Sequence, residues 1–184
     1  MKQSVLAVDD QIHMVKLLER IVEEYTDYSI TTTSNPLEAQ RFLEERQFDL
    51  IITDLKMPGL DGLELLNFIK QGNRFEEVVI MTAFASLESA MQAFSLGAFD
   101  YLTKPFKKDQ ILQTIDRVMK LQRAKRRSQR FEELLRVSPY HKAEDCFRRE
   151  YLKASAEANS GDMEKVAVET GLTREEINRI LSGA

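Results

Sequence analysis

Short apolar runs alternate with stretches of helical periodicity over the first two thirds of the chain. Ser4–Val8 reads as a short strand, and Ile12, Val15, Leu18 and Val22, with Leu17 and Ile21 beside them, recur at helical spacing over Gln11–Glu24. Tyr28–Thr32 is β-branched and predicts a second strand. Asn35-Pro36 supplies an N-cap and an N1 proline for a helix to about Arg46, with Leu37, Phe42 and Leu43 inward. Leu50-Ile51-Ile52 is too short for a helix and predicts a buried third strand that ends at Asp54, followed by the turn residues Met57-Pro58-Gly59 and Asp61-Gly62. Leu63–Gln71 is an amphipathic helix stopped by Gly72, Val78–Met81 a fourth strand finishing at Thr82, and Ser86–Leu96 a helix ended by Gly97. Asp100–Leu102 is a fifth strand leading into Thr103-Lys104-Pro105. Lys108–Leu121 is helical, with Ile111, Leu112, Ile115, Val118 and Met119 on one side.

Five such alternations predict an α/β fold, a doubly wound parallel sheet with helices on both faces and right-handed crossovers. Stacking the strands in parallel brings Asp9, Asp10, Asp54, Thr82 and Lys104 to one edge, where open α/β sheets gather ligands. Taken singly, each has a structural role: Thr82 ends a strand, Lys104 is a surface ammonium, and Asp9-Asp10 starts a helix. Together their chemistry is complementary. Three close carboxylates raise one another's pKa values unless a cation neutralises them, and hard oxygen donors suit Mg²⁺. A carboxylate so placed can attack a phosphoryl group and form an acyl phosphate, with the Lys104 ammonium and the Thr82 hydroxyl meeting phosphoryl oxygens.

The pattern changes after the last of these helices. Apolar residues almost vanish from Gln122 to Arg130, where Arg123, Lys125, Arg126, Arg127 and Arg130 accumulate, yet helix propensity stays high and predicts a continuation through about Val137, stopped by Ser138-Pro139. Ala143–Asn159 is an amphipathic helix with Phe147, Tyr151, Ala154 and Ala158 at helical spacing. Gly161-Asp162 separates it from a helix over Met163–Thr170 with Val166 inward. Gly171-Leu172 then turns the chain, and Thr173-Arg174-Glu175-Glu176 forms a capping box for a last helix through Leu181, with Ile177, Ile180 and Leu181 buried. Two short helices joined by a Gly-containing turn fit a helix-turn-helix. The division expected is 1–121 for the α/β domain, 122–141 for a basic helical linker and 142–184 for a small all-α domain.

Composition narrows the function classes. Apolar content of 43% is ordinary for a globular protein, no run approaches the ~20 residues of a membrane span, and the first ten residues lack a signal-peptide apolar region, so no membrane contact and a cytoplasmic location are expected. Cys146 is the one cysteine and reads as a packing residue; with only His13 and His141 it forms no metal-ligand cluster. The net charge of −4 is unevenly spread. Residues 1–119 carry 12 Lys+Arg against 19 Asp+Glu, residues 120–136 carry 7 against 2, and residues 137–184 carry 7 against 9. The acidic first block is unsuited to lying on nucleic acid, whereas the basic middle segment either contacts phosphates or is a solvated helical linker.

From Val5 to about Leu121 the chain resembles the receiver domain of two-component response regulators, the CheY-like, flavodoxin-like (βα)5 fold. The residues that carry this are Asp9-Asp10, Asp54-Leu55-Lys56-Met57-Pro58-Gly59, Thr82-Ala83 and Tyr101-Leu102-Thr103-Lys104-Pro105-Phe106, in family order and spacing. The resemblance implies Asp54 as phosphoacceptor, served by a sensor histidine kinase. It implies Mg²⁺ held by Asp10, Asp54 and the backbone carbonyl of Lys56, with Asp9 in support through water. Thr82, Ala83 and Lys104 would bind the phosphoryl group, and Thr82 and Tyr101 would form a switch pair. No enzymatic activity is implied beyond Mg²⁺-dependent self-phosphorylation and dephosphorylation of the receiver aspartate.

Over Phe147–Leu181 the chain is similar to the Fis-type helix-turn-helix that ends nitrogen-regulator (NtrC-type) activators and short two-domain redox regulators, on Phe147-Arg148-Arg149-Glu150-Tyr151-Leu152, Gly161-Asp162, Val166-Ala167, Gly171-Leu172-Thr173-Arg174 and Arg179-Ile180-Leu181. About 20 residues of linker, without a phosphate-binding glycine loop, leave no room for the ATPase domain of the nitrogen regulators. The resemblance implies a transcriptional regulator that binds DNA as a phosphorylation-dependent homodimer, with Thr173, Arg174, Asn178 and Arg179 as DNA contacts. One departure matters: Glu175 and Glu176 stand where a recognition helix meets phosphates and base edges. That keeps open a phospho-switched interaction module whose degenerate helix-turn-helix mediates dimerisation or partner docking, and, further behind, a phosphorelay intermediate.

Overall fold

The computed structural model describes residues 3–72, 74–137 and 140–182. Contacts divide the chain into two compact units, Met1–Arg123 and Ala124–Ala184. The first alternates β1 (Ser4–Val8), α1 (Ile12–Tyr25), β2 (Ser29–Thr33), α2 (Pro36–Glu45), β3 (Leu50–Asp54), α3 (Gly62–Gln71), β4 (Glu77–Thr82), α4 (Leu87–Ser95), β5 (Asp100–Thr103) and α5, a single helix that runs over Lys108–Val137 and so continues into the second unit. The strands form one parallel sheet in the order β2-β1-β3-β4-β5, with Val5 opposite Leu50 and Ile51 opposite Val78. Consecutive strands β1 and β2 are neighbours while β3 lies on the other side of β1, so the chain reverses direction across the sheet at β1 and β3. That is the crevice in which doubly wound sheets hold their ligands.

The central strands β1, β3 and β4 are buried on both faces, which explains their unbroken apolar character. One face packs Leu6, Val8, Ile51 and Ile80 against Leu43 and Leu65, and the other packs Val5, Ala7, Ile52 and Met81 against Leu18, Val22, Ile111 and Ile115. The Asn35 side chain accepts from the Leu37 N–H to cap α2, and Asp61 and Glu64 close a reciprocal box at α3. At the sheet's opposite edge Gln122, 2% exposed, donates to the carbonyls of Asp49 (2.9 Å) and Phe75 (2.7 Å) and ties α5 to the strand starts.

Several helical faces differ from the periodicity. Ile12 and Leu17 of α1 and Leu37 of α2 are exposed, because Ile12 and Leu37 fall in the first turns, clear of the sheet, and Val15, Leu18, Ile21 and Val22 already fill the face of α1 that meets it. Two strands begin elsewhere than expected, β2 at Ser29 and β4 at Glu77.

In the second unit α6 (Tyr140–Ala158), α7 (Met163–Thr170) and α8 (Arg174–Ser182) pack around Leu152, Val166 and Ile177. Asp162 caps α7, accepting from the N–H groups of Glu164 and Lys165, and Gly171 ends it in the left-handed conformation at φ +69°. The inner face of α6 is Leu152 with Ser155 and Ala156, not the stripe Phe147, Tyr151, Ala154 and Ala158. Leu152 is the larger aliphatic group that fits between α7 and α8, and the aromatic stripe is left on the outer side, with Phe147 52% and Tyr151 50% exposed.

Candidate functional site

Each strand end delivers one polar side chain to the same edge of the sheet. Asp9 follows β1 and is fully buried; its Oδ1 accepts from the Gln11 N–H at 3.0 Å and its Oδ2 from Lys104 Nζ at 2.5 Å. Asp54 ends β3 with 6% of its surface exposed, and its Oδ2 accepts from the Lys56 N–H at 2.7 Å while its Oδ1 meets the same Lys104 ammonium. Lys104 is held there by its own backbone, whose N–H donates to the Thr82 carbonyl at 2.7 Å as the chain leaves β5; the Lys104–Pro105 peptide is cis. One lysine therefore bridges two carboxylates that stand 45 residues apart in sequence.

Burial raises the Asp9 pKa above the usual carboxylate value, and the neighbouring Asp54 charge adds to this, against the hydrogen bonds from Lys104 and the Gln11 N–H and the Lys104 charge. Burial works against the Lys104 charge too, but its hydrogen bonds to Asp54 and Asp9, with their charges, outweigh it and the pKa is raised. The pair of acids is thus held together by a charged lysine at neutral pH.

Thr82 is buried and its Oγ1 accepts from the Phe84 N–H at 3.0 Å, while Ala83 is exposed beside it. Tyr101 is half-buried, and its hydroxyl pairs with the Ser89 hydroxyl at 2.8 Å. Ser89 closes the capping box of α4 with Ser86, so the ring is tied to the first turn of that helix. The sequence offers Ser86 as the cap, whereas Ser89 leaves no local mark beyond the S-x-x-S spacing. The sequence places Gly62 in a turn, but a methyl group there would stand 2.2 Å from the Asp54 carbonyl oxygen. Its role is close approach between the start of α3 and the end of β3.

Asp10 and Lys56 are exposed next to the two buried acids. Among the described residues no three of His, Cys, Asp and Glu stand together as a ready metal cage. The donor chemistry nonetheless fits Mg²⁺, which takes one or two carboxylates and keeps its waters, and Asp9 and Asp54 already converge on a cation.

In the second unit Arg174, Glu175, Asn178 and Arg179 are exposed on α8. Glu176 turns back on its own helix: its Oε2 accepts from the Thr173 N–H (2.8 Å) and hydroxyl (2.7 Å), and these hydrogen bonds hold its carboxyl below the usual range. Thr173 is likewise occupied as the cap. Of the two acids that sequence places at the start of α8, only Glu175 projects freely from the cap. Among the described residues no helix is long and apolar enough to cross a membrane.

Comparison with known proteins bears on the first unit. The family model of the response regulator receiver domain matches residues 5–116. The DNA-binding transcriptional regulator NtrC of Escherichia coli (strain K12) is 38% identical over 115 residues, 62% of this chain and 24% of NtrC. The transcriptional regulatory protein FlgR of Helicobacter pylori is 40% identical over 114 residues, 62% of this chain and 29% of FlgR. The matched stretch thus spans only about a quarter of the length of these curated relatives. Among solved structures, a response regulator receiver domain protein from Clostridium thermocellum superposes with a TM-score of 0.62 at 28% identity, covering 66% of this chain and 98% of that one. The receiver domain of the Francisella response regulator 1452 gives 0.61 at 31% identity, covering 67% and 99%. The strand order, the acids and lysine at the strand ends, and a match over most of the first unit agree: this chain belongs to the response regulator receiver domain family.

Proposed function

We propose that the chain is a two-component response regulator that takes a phosphoryl group on Asp54 from a sensor histidine kinase and acts as a phosphorylation-controlled transcriptional regulator. The observation that carries this reading is the Lys104 bridge between Asp9 and Asp54 at the sheet edge. An Asp54 carboxylate oxygen attacks phosphorus, the bond from phosphorus to the kinase imidazole breaks, and the imidazole leaves, giving an acyl phosphate. Asp10, Asp54 and the Lys56 carbonyl would hold Mg²⁺, with Asp9 in support through water; when bound, the ion offsets phosphoryl charge. Lys104 passes from the Asp54 oxygen to a phosphoryl oxygen, the Thr82 hydroxyl donates to another, and the Ala83 backbone approaches the same group. As Thr82 turns, Tyr101 moves inward and leaves Ser89.

Output falls to the helices beyond the receiver, with Arg174, Asn178 and Arg179 on the exposed side of α8 as DNA contacts. The closure of Glu176 onto its cap supports this, since it removes one acid from the face that would meet phosphates. Glu175, exposed on the first turn, favours the second reading, a phospho-switched module that docks a protein partner. Radiolabelled acyl phosphate with Mg²⁺ should label the wild type and not Asp54→Asn; label on that variant overturns the phosphoacceptor assignment. A genome-wide binding screen with phosphorylated protein should enrich discrete sites whose affinity falls as salt rises, and no enriched site transfers the output to protein docking.

A further inference from the structure

The second unit carries its surplus of positive charge on one short stretch of α5. The part of that helix that belongs to this unit begins Ala124-Lys125-Arg126-Arg127-Ser128-Gln129-Arg130, four cations and no acid in seven residues, and all seven are exposed. Arg126, Arg127 and Arg130 fall within an arc of about 100° around the helix, and Lys125 lies on another side. Arg126 and Arg130 are four residues apart, a spacing at which like charges weaken a helix. A helix that is merely wetted by solvent mixes its signs, as α6 does with Glu144 beside Arg148 at 2.8 Å and Glu150 beside Lys153 at 3.3 Å. On α7, Lys165 likewise stands 3.6 Å from Asp162. Two acids border the basic stretch on its own helix, Glu132 and Glu133, both exposed in the turn that follows. From α6, Glu157 reaches Arg127 at 3.4 Å, but both side chains are half exposed or more, and such a pair contributes little and yields readily to a stronger partner.

We propose that Arg126, Arg127 and Arg130 form a second contact to duplex DNA, one that holds backbone phosphates without regard to sequence while α8 reads the bases. The inference rests on the DNA-binding reading of the chain and supplies what α8 lacks. Arg174 and Arg179 of α8 are balanced by Glu175 and Glu176, so the helix brings no net charge to a polyanion. Each phosphate neutralised adds about 0.9 to the fall of log affinity with log salt. The two arginines of α8 therefore give a slope of about −1.8 per copy, and the three of α5 take it to about −4.5. The residue type fits as well. A guanidinium presents a planar fork that meets a phosphate through two hydrogen bonds, where an ammonium meets it as a point charge. A duplex offers one negative charge per ~1.7 Å of its axis, so a row of arginines on one helix face finds acceptors wherever it lands. Sequence-independent affinity then resides in α5, and discrimination between sites in α8.

Fluorescence anisotropy of the full chain, with and without acyl phosphate, on a short labelled duplex of arbitrary sequence tests this by salt titration. Arg127→Gln with Arg130→Gln should flatten the slope by about 1.8 per bound copy and weaken binding at least tenfold at about 0.1 M salt. Arg127→Lys with Arg130→Lys keeps the charge and should keep the slope, which separates loss of charge from loss of the helix. Arg148→Gln, which removes a cation of α6 that already sits beside an acid, should leave the slope unchanged. A glutamine pair with the wild-type slope overturns the inference, and so does tighter binding of the wild type to single-stranded RNA or to polyglutamate than to the duplex. The two DNA contacts fail separately. Discrete genomic sites that persist while the glutamine pair changes nothing spare α8 and remove α5. A slope that falls as expected, on a chain that enriches no discrete site, removes the reading by α8 and leaves the contact by α5. A wild type that does not bind the duplex even at about 0.05 M salt overturns both.

Discussion

Replacing Gly62 by alanine sets the packing of β3, the strand that ends at Asp54, against one methyl group. The new Cβ would lie 2.2 Å from the Asp54 carbonyl oxygen and 3.1 Å from both the Asp54 carbonyl carbon and Leu55 Cα, whereas ordinary contact begins near 3.4 Å. The required opening is therefore about 1.2 Å, and every atom in the way is backbone. Neither side can yield cheaply. β3 is paired on both sides, with β1 and β4, and the Gly62 N–H is tied to the Leu55 carbonyl at 2.9 Å. Overpacking with flexible neighbours costs about 1–3 kcal/mol, so a backbone clash places Gly62→Ala at roughly 3 kcal/mol or more. Gly59 is the control. It has φ +88° and nothing within 4 Å of a new methyl, so Gly59→Ala should cost about 1–2 kcal/mol, through backbone conformation alone. Urea unfolding followed by far-UV circular dichroism separates the two, and phosphorylation of refolded Gly62→Ala by acyl phosphate should fall about a hundredfold for a displacement near 1 Å. If Gly62→Ala is no less stable than Gly59→Ala, the close-approach reasoning is refuted.

Ser89→Ala removes the partner of the Tyr101 hydroxyl, worth about 0.5–1.5 kcal/mol, and should raise the population of the inward ring several-fold without phosphate, read by fluorine NMR of labelled tyrosine; an unchanged spectrum rejects the latch. Gln122→Leu leaves the Asp49 and Phe75 carbonyls without their donor and should cost about 2–4 kcal/mol in urea unfolding; a loss under 1 kcal/mol means water replaces it. The raised Asp9 pKa means that the folded state holds a proton the unfolded state has released, so wild-type stability relative to Asp9→Asn should fall as pH rises from below 3.8 through the folded value, and then level off. The raised Lys104 pKa acts at the other end: its contribution is complete below the unfolded value near 10.5 and is lost as pH rises through the folded one, so the stability gap between wild type and Lys104→Met should narrow only in strong alkali.

Strand positions and the edge they share were legible because burial on both faces leaves a simple mark, an apolar run ending in a polar residue. Asp9, Asp54, Thr82 and Lys104 could be brought together from that mark alone. Helix faces were less legible. Over 143–159 two stripes a third of a turn apart, Phe147-Tyr151 and Leu152-Ala156, are both apolar enough to be inward, and only the docking of α7 and α8 chooses between them. Long-range partners left no local trace: Gln122 finds its two carbonyls 47 and 73 residues away, and the clash that requires glycine at 62 exists only after α3 has folded back onto β3.

Helix α4 has a single fully buried residue, Ala93, whereas Leu87, Met91 and Phe94 are 77%, 63% and 51% exposed. Its amides should therefore exchange with solvent through local openings of far lower free energy than those of the central strands. A segment so lightly anchored can be re-sited by a single added charge while the sheet beneath it stays folded. The receiver thus holds its most lightly anchored helix by a short tether, the Ser86–Ser89–Tyr101 hydroxyl chain, while its burial is concentrated in the central strands.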